Sequence, residues 1–158
     1  MVAALIFVAT MIIKIPSPLS GYINLGDSIV LLAAWTLPPA YSFLAAGVGS
    51  ALADVLSPYI EYAPVTFLIK GLMAIIAYGS YTLLSKKSKN LISKIISGVL
   101  AEIVMIFGYY LFEGILYGFV PSLVNIPANA IQGIAGIIFG TALLTVFEKQ
   151  DLIKILKL

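Results

Sequence analysis

Residues 91 to 120 form the longest apolar run of the chain, broken only by the charged side chains Lys94, Glu102 and Glu113. A membrane span needs roughly 20 residues, and a helix is the form in which such a stretch satisfies its own backbone away from water. Four further runs of the same kind cover residues 1–15, 40–56, 64–84 and 125–147, and a shorter one covers 29–37. Pro, Gly and Lys separate them. With 61% hydrophobic residues, 10% charged and a mean hydropathy of +1.10, the chain has no ordinary water-facing surface to offer on all sides. We therefore expect an all-α membrane protein with six transmembrane helices. Residues 26–56 then form two short helices or a re-entrant pair, and residues 1–158 form a single integral membrane domain.

Boundary signals refine this reading. Residues 1–15 are short for a span, so that helix starts at the membrane edge or further upstream, and Pro16 and Pro18 end it. Residues 16–24 read as a loop. Asp27 or Ser28 can cap the helix that follows, and Pro38-Pro39 breaks it. Pro64 suits the first turn of the next helix, and residues 121–124 make a tight turn. Residues 148–158 alternate Leu and Ile with Lys and Asp, as an interfacial amphipathic tail does.

Histidine, cysteine and arginine are absent. Zinc sites built on His or Cys, thiolate nucleophiles, disulfides and His proton relays are thereby excluded, as is an Arg clamp on phosphate or carboxylate. No cofactor, metal or nucleic-acid motif is present. Seven of the nine lysines fall in residues 86–94 and in the C-terminal segment. The positive-inside bias places both on the cytoplasmic face, and the loops near 16–24, 57–63 and 119–124 then face outward.

That orientation gathers the polar intramembrane residues in the outer half, as a cup open to the outside. Asn125, Asn129 and Gln132 share one helical face at offsets of four and seven, and Gly133, Gly136 and Gly140 continue it. Carboxamides inside an apolar segment cost free energy unless something bonds to them, so they mark a polar pocket or helix-to-helix glue. Glu102, Tyr109 and Glu113 share a face of the preceding span. With Tyr62 and Asp27 these are the candidate substrate-binding residues. Asp54 and Lys70 stand on consecutive helices as a candidate structural ion pair, with Asp27 as a third member. Ala3, Ala4 and Ala9 give the first helix small residues for close approach to another helix. Carboxylates outnumber the one internal lysine, so a neutral or weakly basic heteroaromatic ligand, bonded by amides and stacked on tyrosine, suits the cup.

There is no G-x-x-x-x-G-K-[ST] loop and no room for a nucleotide-binding domain. The ordered set Gly21-Tyr-Ile-Asn-Leu-Gly-Asp27, the small-residue stretch to Asp54, Ala63-Pro-Val-Thr-Phe-Leu-Ile-Lys70-Gly71 and Ile126-Pro-Ala-Asn-Ala-Ile-Gln132 resembles the substrate-binding S components of energy-coupling factor (ECF) vitamin importers, in the riboflavin-transporter-like group. The resemblance implies a high-affinity subunit in a prokaryotic plasma membrane that captures a water-soluble vitamin from outside. It also implies docking on a transmembrane coupling subunit driven by two cytoplasmic ATPases, with Ala3, Ala4 and Ala9 as the docking face. Riboflavin, or a smaller pyridine or pyrimidine vitamin such as pyridoxine or hydroxymethylpyrimidine, is the implied ligand. The last helix carries Asn129-x-x-Gln132 where riboflavin binders carry an Asn-x-x-Lys pair. A structural or assembly subunit, and an intramembrane enzyme using Glu102 or Glu113 as general base, are the competing readings.

Overall fold

The computed structural model describes residues 1–86, 88 and 90–150. Helix α1 (Val2–Ile12) leads into a two-residue antiparallel hairpin of β1 (Ile15–Pro16) and β2 (Tyr22–Ile23). Residues 16–24, expected as plain loop, therefore carry a small strand pair. Gly21 turns it at φ +94°, a conformation that favours glycine. Helix α2 (Gly26–Thr36) follows. Its cap comes from neither Asp27 nor Ser28: Asn24 Oδ1 accepts the Gly26 N–H at 2.8 Å. Leu37 is extended (ψ 156°), as a residue before proline must be, and Pro39 opens α3 (Pro39–Val55).

A 3-10 turn at Ile60–Tyr62 precedes α4 (Ala63–Leu84), and α5 runs from Asn90 to Tyr117. Gly118, at φ +94° and ψ 145°, a conformation that favours glycine, stops α5. The expected tight turn at 121–124 is instead a one-turn helix α6 (Phe119–Ser122) and a 3-10 turn (Leu123–Asn125). Helix α7 (Ile126–Lys149) ends the described chain. Among the described residues, the segments Ile60–Leu84, Asn90–Tyr117 and Phe119–Lys149 are long and apolar enough to cross a membrane by length and composition, and α1 and α2 are shorter apolar helices.

Nine of the eleven residues of α2 are buried. It packs on α1, α3, α4 and α7, so it is the axis of the bundle and its short length is no defect. Ile103, Phe107, Ile115, Ile131, Ile134 and Ile138 are exposed on α5 and α7, which is the surface a bilayer covers. Close helix approach relies on small residues. A Cβ on Gly49 would lie 2.5 Å from the Ala3 carbonyl oxygen, and one on Gly71 would meet the Phe43 ring at 2.5 Å. Trp35 packs inside the bundle, and its Nε1–H donates to Ser97 Oγ at 2.9 Å.

At the end opposite the hairpin, Glu148 accepts from Lys94 Nζ at 2.8 Å and from Asn90 Nδ2 at 3.2 Å. Glu148 and Lys149 thus belong to α7 and not to an interfacial tail, because the carboxylate is fixed to α5. The rest of the expected tail, residues 151–158, lies outside the described residues, as do Lys87 and Lys89.

The glycine contacts set a direct comparison. Gly49→Ala should destabilise the detergent-solubilised protein by about 1–3 kcal/mol through overpacking of α1 on α3. Gly79→Ala, where an added Cβ meets nothing within 4 Å, should stabilise it by about 0.5–1 kcal/mol. Thermal unfolding of both variants beside the parent checks the pair.

Candidate functional site

The hairpin closes one end of the bundle, and beneath it lies a cavity of about 50 Å³. Its wall is drawn from every part of the fold: Thr10 of α1, Ser17, Ser20, Gly21, Tyr22 and Asn24 of the hairpin region, Ser50 and Asp54 of α3, Tyr59 before α4, then Tyr62, Thr66 and Lys70, Tyr109 and Glu113 of α5, and Asn129 and Gln132 of α7. All but Gly21 carry a polar side-chain atom. In a chain this apolar, a wall without a single aliphatic side chain is not a packing remnant, because burying polar groups costs free energy unless they find partners.

Under the cavity Asp27, fully buried, is ion-paired through Oδ1 with Lys70 Nζ. Its Oδ2 accepts from Gln132 Nε2 at 2.6 Å. Gln132 Oε1 in turn accepts the Asn24 backbone N–H at 2.9 Å and its side-chain amide at 3.2 Å. One carboxamide thus joins α7, α2 and the hairpin. Asn125 holds the hairpin from the other side: its Oδ1 accepts the Leu19 N–H at 3.1 Å, and its Nδ2 donates to Ser20 O at 3.1 Å and Glu113 Oε1 at 2.9 Å. A third tie is Tyr22, whose hydroxyl donates to Asp54 Oδ1 at 2.8 Å. Lys14, bonded to Ser57, covers the outer side of that ring 4.5 Å from its centroid. Burial, reinforced by the Asp54 charge, pushes the Tyr22 phenol far above its ordinary pKa, so it stays a donor.

Aromatic rings form one side. Tyr22 and Tyr59 lie 5.3 Å apart by centroid, Tyr59 and Tyr62 6.3 Å, and Tyr62 and Tyr109 6.5 Å. Tyr109 shares a 3.0 Å hydrogen bond with Thr66, and its ring centroid is 5.6 Å from Lys70 Nζ. The rings are tilted or edge-to-face to one another, and they give the wall aromatic surface that a flat molecule can contact.

Of the expected binding residues, Tyr62, Tyr109, Glu113, Asn129 and Gln132 line the cavity, and Asn125, Glu102 and Asp27 do not. Asn125 and Asp27 are consumed in holding the hairpin and the floor. Glu102 lies deeper, its two carboxylate oxygens buried without a hydrogen-bond partner among the described residues. They occupy the notch left by Gly133 and Gly136, where a Cβ would come within 3.0 Å of them. The expected Asp54–Lys70 ion pair is replaced by Asp27–Lys70, because α2 packs against α4 and brings its own carboxylate to the lysine; Asp54 turns to Tyr22 instead. Ala4 is exposed on α1, while Ala3 and Ala9 are half-buried. Ala3 is engaged by Gly49 within the bundle. Thr10, Ser17, Ser20, Tyr22, Asn24, Ser50 and Thr66 were not among the candidates. Small hydroxyls and loop residues announce no spacing pattern, and only the hairpin's fold brings them to the wall.

The family model described as ECF-type riboflavin transporter, S component, matches residues 1–149. A protein of Pyrococcus woesei, described as an uncharacterized protein in gap 3′ region, is 37% identical over 144 residues, covering 90% of this chain and 94% of that protein. A solved structure titled as the structure and mechanism of the S component of a bacterial ECF transporter superposes with a TM-score of 0.70 at 26% identity, covering 94% of this chain and 91% of that one.

The floor makes a sharp energetic expectation. Lys70→Met should destabilise the protein by about 3–5 kcal/mol, since it strands a fully buried carboxylate. Adding Asp27→Asn should restore most of that loss. Thermal or denaturant unfolding of the single and double variants checks it, and a double variant no better than the single would contradict the pairing.

Proposed function

Because the chain belongs to the ECF-type riboflavin transporter S component family, we propose that it is the membrane-embedded, high-affinity binding subunit that takes riboflavin, or a smaller pyridine or pyrimidine vitamin, for ATP-driven uptake. Vitamin capture by an ECF transporter subunit follows from the family; the finer substrate assignment, the orientation and the docking face are our reading. The observation that carries the reading is the cavity wall, in which every residue but Gly21 carries a polar side-chain atom, with tyrosines along one side and a hairpin over it.

The cavity's size says how a ligand is admitted. About 50 Å³ is room for a few waters, against the roughly 300–1,000 Å³ of sites that enclose drug-sized ligands. Entry of a ring therefore requires the hairpin to lift. It is tied to the bundle by side-chain bonds from Asn125, Gln132 and Asp54, each worth about 0.5–1.5 kcal/mol net, so lifting it costs far less than unfolding a helix. Residues 86–94 and the C-terminus then face the cytoplasm, the hairpin faces outside, and the face of Ala3, Ala4 and Ala9 meets a transmembrane coupling subunit carried by two cytoplasmic ATPases.

Asn129 separates ligand contact from scaffolding. It lines the cavity, and none of the described hydrogen bonds uses its carboxamide, in contrast to Asn125 and Gln132. Titration calorimetry against riboflavin, pyridoxine, hydroxymethylpyrimidine and thiamin should find one ligand binding tighter than micromolar. Asn129→Ala should weaken that ligand by about 1–3 kcal/mol while leaving the melting temperature of the unliganded protein unchanged. Gln132→Ala should lower both. An affinity weaker than micromolar for all four, together with no small molecule co-purifying by mass spectrometry, would count against vitamin capture. Single cysteines at Ser88 and Ser20 should label from opposite faces of membrane vesicles, Ser88 from the cytoplasmic side.

A further inference from the structure

Glu113 is only 3% exposed and lies on the cavity wall. Its two oxygens are treated differently. Oε1 accepts from Asn125 Nδ2 at 2.9 Å and, at 3.5 Å, faces the Tyr62 hydroxyl. Oε2 is buried and has no partner among the described residues. A carboxylate whose one oxygen is anchored and whose other is idle is a costly arrangement in an apolar medium, and a donor delivered by a ligand would offset that cost. The neighbouring Tyr62 and Tyr109 rings, 6.5 Å apart and tilted by 39°, offer aromatic surface beside it for such a ligand.

The charge around the cavity points the same way. Asp54 and Glu113 line it, and Asp27 and Glu102 lie beneath. Against these stand Lys70, committed to Asp27, and Lys14, which sits over the Tyr22 ring. No arginine exists in the chain. An anionic group entering this space finds carboxyl groups, no arginine and lysines already engaged, so it would be desolvated without a cation to pair with it.

Resting on the reading of the cavity as a vitamin site, we propose that Glu113 selects the substrate by charge and by donor. The site takes a flat heteroaromatic molecule, neutral or cationic, that offers an in-plane N–H to Oε2, and it rejects anions. A charge-assisted bond of this kind is roughly twice as strong as a neutral one, which gives the carboxylate a discriminating power that a glutamine in its place lacks.

Two arms test this. On the unmodified protein, thiamin, pyridoxamine, riboflavin, riboflavin 5′-phosphate, pantothenate and biotin are titrated in parallel. The tightest binder should be one of the first three, and riboflavin 5′-phosphate should bind at least tenfold more weakly than riboflavin. On variants, Glu113→Gln should weaken the tightest binder by about ten- to hundredfold and narrow its margin over the anions, whereas Glu61→Gln, at an exposed carboxylate of the same end, should change neither. An anion as the best ligand, or an affinity untouched by Glu113→Gln, overturns the proposal and leaves vitamin capture standing. Failure of every probe to bind overturns the selection by Glu113, and overturns vitamin capture as well when pyridoxine and hydroxymethylpyrimidine also fail and no small molecule co-purifies. The arm on the unmodified protein decides the matter even if Glu113→Gln does not fold.

Discussion

The interaction on which this fold rests is the buried pair of Asp27 and Lys70. Two charges out of water each carry a desolvation penalty of several kcal/mol, recovered only when geometry is good and the remaining lone pairs are satisfied. Here Gln132 satisfies the second carboxylate oxygen, and the outcome is a three-way junction of α2, α4 and α7. Such a junction adds little stability compared with a well-packed apolar core. What it does is fix position: any slide of α2 along its neighbours would separate charges that cannot be left alone. A helix of eleven residues buried on nearly all sides needs such a device, since apolar contacts by themselves permit slippage.

Registration at the floor propagates to the wall. Lys70 and Gln132 each present one side to Asp27 and another to the cavity, so the placement of the ligand-facing surface is inherited from the ion pair. Gln132 also carries the hairpin's Asn24, and Asn125 carries Leu19 and Ser20. The cover is consequently attached through polar bonds at its edges, while α3, α4 and α5 meet through apolar and glycine contacts. Two classes of interaction are thereby separated in space. Exchangeable hydrogen bonds hold the cover that our reading opens to a ligand, and packing holds the helices beneath it.

Much of this was legible in the sequence, for identifiable reasons. Helix positions followed from apolar runs bounded by Pro16, Pro38-Pro39 and Pro64, and the gathering of Tyr62, Tyr109, Glu113, Asn129 and Gln132 at one end of the bundle followed from helical offsets combined with the lysine distribution. Pairing across helices did not follow. Asp54 and Asp27 are both candidates for Lys70 in the sequence, and only the packing of α2 against α4 decides for Asp27. The hairpin was missed because its strands are two residues long, too short for any alternation. Its serines, with Thr10, Ser50 and Thr66, reach the wall through tertiary structure alone.

The division of labour on α7 explains why its polar face continues as glycines. Asn125, Asn129 and Gln132 occupy the turns nearest the hairpin, where the hairpin, the cavity and the floor each take one amide. From Gly133 inward the same face must approach α2 and α5 closely: a Cβ on Gly136 would meet Asp27 Cβ at 2.9 Å, and one on Gly140 the Ser28 carbonyl at 2.9 Å. Without that approach Asp27 would stand too far from Gln132 to be bonded by it. The glycines are thus a condition for the ion-pair junction as much as for packing, and a single helical stripe, amide above and glycine below, sets both the contents of the cavity and the depth of its floor.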